Sequence, residues 1–413
     1  MIIIKAKYLV PNPETCIENG AVAVKGSKIF RIGAFEEIER LEGIEKSIHL
    51  GNAVILPGLI NTHTHLDLTH LHDRIKPTQN FTHWVFQLVG ARIRWKDEDY
   101  LSSIKTGIQL CIESGTTTVA DISHTGHSFS ALKNSPLRKV VYREVIGLNP
   151  DHAMDILNKT QSELSGVSED ALLKTGLSPH APYSTSKELY QATARHSSKT
   201  GMPLFTHIAE TNDEIEFLTK GTGNFPVLLQ KLRALADGWR APGLTSIHYL
   251  DKMGFLNTAP LLIHCNYVTD EEISIIRSHN SNVAFCPRSH NFFGHTHHPV
   301  QKLLDAGVTV GLGTDSLASN DTLSILDEMK FLFHHYSLSP KTILSLATIN
   351  GAKAVGLDSI TGQIKEGFEA DLCGARLPDN GNENIYNRLF AIESKNIFTM
   401  VAGMTCYHAF PHP

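Results

Sequence analysis

Eight short apolar runs constrain this 413-residue chain more than any other feature. Each ends near a polar or ionisable side chain, and each is followed by a stretch able to form a helix. The runs are LINTHTH (59–65), TTTVADIS (116–123), KVVYREVIG (139–147), LLKTGLSPH (172–180), PLFTHIAE (203–210), LLIHCNYV (261–268), NVAFCPRS (282–289) and TVGLGTDS (309–316). Short apolar runs alternating with helical segments are the pattern of parallel strands buried on both faces. TLSILDEMKFLFHH supplies the helix after the eighth run. SPKTILSLATINGA predicts another, with Ser339 as N-cap, Pro340 in the first turn and Asn350-Gly351 as the stop. Eight strand-then-helix units predict an α/β fold, a (β/α)8 TIM barrel over 57–357.

The chain ends carry a different pattern. Residues 2–10 alternate, AVAVKGSKIFRIG predicts two strands joined at Gly26-Ser27, and NIFTMVAGMTCYHAF repeats the theme with a turn near Gly403. One small β-sandwich built from 1–56 and 358–413 accounts for both ends. With 41% hydrophobic and 19% charged residues the chain can bury a sizeable core, and disorder is excluded as the main state. A formal net charge of −5 gives no electrostatic reason for nucleic-acid binding. The N-terminal MIIIKAKYLV loses its apolar character at Lys5, and no segment reaches membrane-spanning length. The expectation is a cytoplasmic protein with a small-molecule partner, no membrane and no nucleic acid; a homo-oligomer stays open. Six scattered cysteines without a C-x-x-C pair fit reduced, buried thiols.

Polar residues sit where such a fold places its active site. His63, His65, Asp121, Glu144, His180, His207, His264, Arg288 and Asp315 lie at or near the C-terminal ends of the predicted strands. His63 and His65 are two apart, so both imidazoles face one side of their strand. Among 23 histidines that pair alone is weak, and two satisfied core histidines explain it as well. His207 and Asp315 change the weighting. Three nitrogens and a carboxylate suit one divalent metal ion, Zn2+ first and Fe2+ second. Glu210, three residues after His207, is placed to move a proton; a helix-start glutamate is the plainer alternative. His264 is placed to hydrogen-bond an attacking water, with a structural histidine as its alternative. Phe81, Trp84 and Phe86 either stack on a heterocycle or form an amphipathic helix. Arg288 and His290 follow the seventh strand and are candidates for a substrate's polar tail. The GHTHHP segment (294–299) is taken as a loop over the mouth rather than a second metal site.

The strings PGLINTHTHL, HIAE, IHCN and GTDSLASND, in that order, resemble the amidohydrolase superfamily. The branch most similar is that of aminohydrolases and chlorohydrolases, which includes cytosine, guanine and S-adenosylhomocysteine deaminases. ATINGAKAVGL and GQIKEGFEADL extend the likeness over nearly the whole chain. The resemblance implies that His63, His65, His207 and Asp315 bind the metal. It implies that Glu210 and His264 handle protons and hydroxide, that Asp315 also accepts a proton, and that His180 in SPHAPYS touches substrate. HTHLDLTHL, FTHWVFQLVGARIRW, GTGNFPVLL and CPRSHNFFGHTHHP narrow the resemblance to bacterial aminodeoxyfutalosine deaminases, adenine-nucleoside deaminases of a menaquinone pathway. Asp67 departs from that group, where glutamate is common after HTHL. Asp67, Trp84, Glu144, His180, Arg288 and His290 form the substrate-facing set. The implied reaction is hydrolytic deamination of an amino-substituted N-heterocycle, with an adenine nucleoside such as 6-amino-6-deoxyfutalosine or S-adenosylhomocysteine as substrate. The alternatives are a guanine, cytosine or pterin deaminase, a triazine chlorohydrolase, a ring-opening hydrolase with a carbamylated lysine (Lys174 being the nearest), and a non-enzymatic scaffold.

Overall fold

A computed structural model describes residues 1–379 and 383–409. Among them, eight parallel strands follow in chain order: β1 (Leu59–Thr64), β2 (Thr116–Ser123), β3 (Arg138–Val145), β4 (Leu173–Pro179), β5 (Phe205–Ile208), β6 (Leu261–His264), β7 (Asn282–Phe285) and β8 (Val310–Leu312). Strands β1 to β4 pair in sequence, as do β5 to β8. Parallel bridges join Leu177 to Leu204, between β4 and β5, and Thr64 to Asp315, beside β1 and β8. All eight predicted strands are present. The last four are shorter than the runs suggested: near the ends of β5, β6 and β8 the chain turns away through left-handed backbone, and after β7 a helix begins at Pro287. Ala209 (φ 49°), His264 (φ 72°), Cys265 (φ 50°) and Asp315 (φ 59°) interrupt the ladders.

Alternation divides the strands between two cores. Ile60, Ile122, Tyr142, Phe205, Ile263 and Ala284 pack with one another, while Leu59, Val119, Val141, Leu262 and Val283 pack against the helices. The helix Ile325–His335 starts on Ser324, whose hydroxyl accepts from Asp327 N. Pro340–Ala347 starts on Ser339 as predicted, but it does not stop at Asn350-Gly351. The break is at Thr348, and a second helix, Ile349–Ala354, runs through both residues. Gly351 serves close packing instead, since a Cβ there would lie 3.0 Å from Ile60 Cβ.

The chain ends build two further sheets. Residues 2–10 are not one strand: Ile2–Lys5 and Tyr8–Asn12 belong to different sheets. Ile2–Lys5 lies between Gly20–Lys25 and Lys46–His49 in a four-stranded sheet. Tyr8–Asn12 joins Ala53–Pro57, which pairs antiparallel with Leu372–Arg376 and so brings the chain's two ends together. Hairpins turn at Gly26-Ser27 and Gly403 as expected; Phe410, last in the predicted C-terminal pattern, lies outside the described residues. Ile4, Val22 and Val24 of one sheet share a core with Leu9, Leu372 and Phe398 of the other.

Arg138, at the start of β3, ties this region to the strands. Its Nε donates to Asp371 Oδ2 at 2.8 Å and Nη2 to Oδ1 at 3.3 Å, and both side chains are buried. Removing one partner strands the other charge. Arg138→Ala should cost about 3–5 kcal/mol, read as a lower urea midpoint. The Arg138→Met/Asp371→Leu double variant should lose far less. Equal losses would show that shape, not an uncompensated charge, sets the cost.

Candidate active site

Three strand ends deliver four polar side chains to one buried point. His63 lies on β1 and His65 just beyond it; His207 lies on β5, and Asp315 follows β8. The His65 and His207 Nε2 atoms are 3.3 Å apart. Asp315 Oδ1 is 3.4 Å from His63 Nε2 and 3.8 Å from His65 Nε2. One ligand atom each from His63, His65 and His207 falls within a 4.8 Å span, as do those of His63, His264 and Asp315.

The donor set fits a divalent ion. His63 is fully buried, and neither ring nitrogen has a hydrogen-bond partner among the described residues. Such nitrogens are costly to bury unless a cation takes their lone pairs. Burial, reinforced by neighbouring imidazoles, holds His63 and His65 well below the usual histidine range, so both present neutral rings. His207 Nδ1 donates to the His180 carbonyl at 3.0 Å, which leaves Nε2 as the free lone pair. Asp315 Oδ2 accepts from the hydroxyls of Ser289 (2.8 Å) and Ser319 (2.7 Å), which leaves Oδ1 facing the imidazoles. Burial would raise this carboxyl, but His65, His264 and the Ser319 bond outweigh it and hold it below its ordinary range.

Glu210 and His264 stand beside this point. Glu210 Oε1 is 3.5 Å from His264 Nε2. Burial, then the charges of Asp315 and Glu214, push the Glu210 carboxyl well above the usual range, so it retains a proton under conditions where Asp315 has none. By the alternation that sends Leu261 and Ile263 to the inner core, His264 would face the helices; its left-handed backbone turns it inward. His298, from the His-rich segment, donates through Nε2 to the His264 carbonyl at 2.8 Å while stacking on Phe285. That segment thus contains a support for His264. Its neighbour His295 bonds Tyr267 through Nδ1 at 2.9 Å.

A cavity of about 1050 Å³, open mouth included, extends from these residues. Asp67, His124, Glu144, His180 and Arg92 give it polar groups; Phe81, Trp84, Leu88, Phe225 and Leu229 give it an apolar wall. Asp67 is fully buried, and neither of its oxygens makes a hydrogen bond of ordinary geometry. Burial raises its pKa to about 6. Glu144 Oε2 is 2.7 Å from His124 Nδ1. Burial would raise Glu144, but His180 and His124 hold it well below its usual range. Trp84 lies on the helix Phe81–Arg92 and lines the cavity, with its indole N–H donated to the Ala318 carbonyl at 2.9 Å.

Arg288 and His290 do not line this cavity. The helix Pro287–Phe292 begins directly after β7 and turns Ser289, between them, toward Asp315. Arg288 pairs with Asp321 and lies over Phe331. His290 is buried near Phe285, His295 and His298, and burial lowers its pKa to about 3. Lys174 is more than half exposed and lies 3.6 Å from Glu169, away from a bridging position. Sequence reasoning missed Ser289, Ser319, His124 and Glu214, which carry no signal beyond lying near the motifs.

Parallel strands whose ends bring together three histidines and a carboxylate suit a metal-dependent hydrolase. The profile of the amidohydrolase family matches residues 54–404, and the chain belongs to that family, as a hydrolase acting on carbon–nitrogen bonds. It is 30% identical over 411 residues to the 5-methylthioadenosine/S-adenosylhomocysteine deaminase of Carboxydothermus hydrogenoformans, covering 95% of this chain and 86% of that one. Among solved structures it resembles Helicobacter pylori aminofutalosine deaminase in complex with methylthio-coformycin (TM-score 0.86, 24% identity, 98% of this chain and 100% of that chain). It also resembles a zinc-bound adenosine deaminase of Xanthomonas campestris (TM-score 0.86, 22% identity, 98% and 93%). The two structural likenesses establish the fold.

Metal content distinguishes a ligand from its neighbours. His207→Ala and Asp315→Ala should each reduce bound metal to well under half of the wild-type stoichiometry, measured by elemental analysis after gel filtration. Glu210→Gln should keep it. Metal loss in all three alike would make Glu210 a ligand or a support.

Proposed function

We propose that this protein is a hydrolytic deaminase of an adenine nucleoside carrying a 5′ substituent, releasing ammonia. 6-Amino-6-deoxyfutalosine and S-adenosylhomocysteine are the substrates that fit this reading. In it the eight strands close as a (β/α)8 barrel over 57–357, with a composite β-sandwich from 1–56 and 358–413. The bridge between Thr64 and Asp315 and the shared core of the terminal sheets support that arrangement. The ion is Zn2+, held by His63, His65, His207 and Asp315; the zinc-bound structural neighbour supports this choice. When bound, zinc supplies a Lewis acid that brings the pKa of a water near neutrality.

The protein's own groups do the rest. Asp315 accepts the proton of the attacking water, because its carboxyl is held ionised. Glu210 holds a proton and delivers it to the ring nitrogen beside the carbon under attack. His264 hydrogen-bonds the oxygen as charge develops on it. His180 contacts the heterocycle. Asp67 and Glu144 meet the polar edge of the nucleoside, and Trp84 with the apolar wall takes the 5′ arm. The observation that carries this reading is geometric: Glu210 Oε1 stands 3.5 Å from His264 Nε2, beside the point where His63, His65, His207 and Asp315 converge.

Two measurements test it. Glu210→Gln keeps the volume and removes the titrating proton, so turnover should fall by roughly 10²–10⁴ with metal retained. Ammonia release should be faster from 5′-substituted adenosines than from guanine or cytosine at equal metal loading. Faster turnover of a free base would sink the nucleoside assignment.

A further inference from the structure

The sequence Thr-x-x-Glu occurs at the start of two helices. In Thr269–Glu272 it forms an ordinary capping box, with Glu272 Oε2 accepting from the Thr269 N–H at 2.8 Å. In Thr211–Glu214 the threonine caps as expected, accepting from Glu214 N, but the glutamate does not return to its own N-cap. Its carboxylate reaches past Thr211 to the turn after β5. Oε1 accepts from Ala209 N–H at 2.9 Å and from the Ser246 hydroxyl at 2.6 Å, and Oε2 accepts from Glu210 N–H at 3.0 Å. Glu214 is fully buried, and no ion pair engages it among the described residues. The ionisable groups interacting with it include Glu210 on its own segment, Glu272, Tyr183, Tyr190 and Cys265.

We propose that Glu214 is a positioning residue for proton transfer, its buried carboxylate fixing the turn that aims the Glu210 carboxyl. The turn needs fixing because Ala209 is left-handed without being glycine. Asn266 Nδ2 holds the other side of the same residue, donating to the Glu210 carbonyl at 3.0 Å. A carboxylate is the side chain that suits this place, because three donors converge on two oxygens. An amide has one acceptor oxygen, and its NH2 group would meet a backbone N–H. An ordinary cap would stabilise the helix Asn212–Lys220 without touching Glu210.

This inference rests on the proton-transfer role of Glu210 proposed above. The test compares Glu214→Gln with Glu272→Gln, which alters the ordinary box. Amide hydrogen exchange over Ala209 and Glu210, read by NMR or mass spectrometry, should accelerate about tenfold or more in Glu214→Gln only. In the same variant kcat should fall by about 10–100-fold, with KM changed by less than about twofold and metal content unchanged. Glu272→Gln should leave kcat as it is. Ser246→Ala removes one donor and covers the case in which Glu214→Gln fails to fold; its kcat should fall by about two- to fivefold. Unchanged exchange, unchanged kcat, or a fall in kcat that follows metal loss overturns the proposal. Should the wild-type chain release no ammonia from any nucleoside, the reaction proposed above falls. The exchange contrast between the two glutamine variants then still decides whether Glu214 holds the turn.

Discussion

The contact on which this structure depends is the meeting of the first and eighth strands. Thr314 N and Asp315 N both donate to the His63 carbonyl, at 3.0 and 3.1 Å. That pairing sets Asp315 beside His63 and His65, although some 250 residues separate them in the chain. It also demands close approach. A Cβ at Gly313 would lie 2.8 Å from His63 Cβ and 2.9 Å from Cys286 Sγ, so no larger residue fits between these strands. A set of side chains drawn from three strand ends is only as exact as this pairing. The buried bonds of Asn61 with Thr314 reinforce it, through Nδ2 to Oγ1 at 2.8 Å.

Burial then differentiates the groups gathered there. Desolvation raises every carboxyl and lowers every imidazole, so it cannot by itself make one acid differ from another. Local donors do that. Asp315 has two serine hydroxyls on Oδ2 and histidines facing Oδ1, all favouring its ionised form. Glu210 has no comparable donors to its carboxyl, and it faces the charges of Asp315 and Glu214. The two acids are therefore driven apart by their partners rather than by depth. The same logic separates Glu144, held low by His180 and His124, from Asp67, which burial raises.

The eight strands were legible because apolar runs and helical stretches alternate eight times, and the converging side chains His63, His65, His207 and Asp315 because they sit at the ends of those runs. What could not be read was anything set by side-chain direction after a strand stops. Arg288, Ser289 and His290 are consecutive, and each was as near to the mouth as the next. One helical turn beginning at Pro287 sends the serine to Asp315, the arginine to Asp321 and the histidine into a cluster of rings. The same limit hid Glu214, since Thr-x-x-Glu predicts a capping box and nothing local says that the carboxylate will reach further back. Asn350-Gly351 misled for a different reason. Its glycine answers a packing demand from Ile60, a residue far away in sequence, and not the local need for a helix stop.

The shortness of β5, β6 and β8 belongs to the same account. A β-ladder continued through 209, 264 or 315 would keep alternating, and His264 would then face the helices. Each departure into left-handed backbone without glycine costs roughly 1–3 kcal/mol and persists only where surrounding bonds hold it. Those bonds are present at each position. Glu214 holds Ala209, His298 holds His264, and the His63 carbonyl holds Asp315. Cys265 N donates to the Ile208 carbonyl at 3.1 Å, which anchors the second left-handed residue after β6. The strained positions and the chemical groups coincide because redirecting a side chain at a strand end requires leaving the strand. Two of these supports, Glu214 and His298, lie one layer out from the converging side chains, and the third is the backbone of His63 itself.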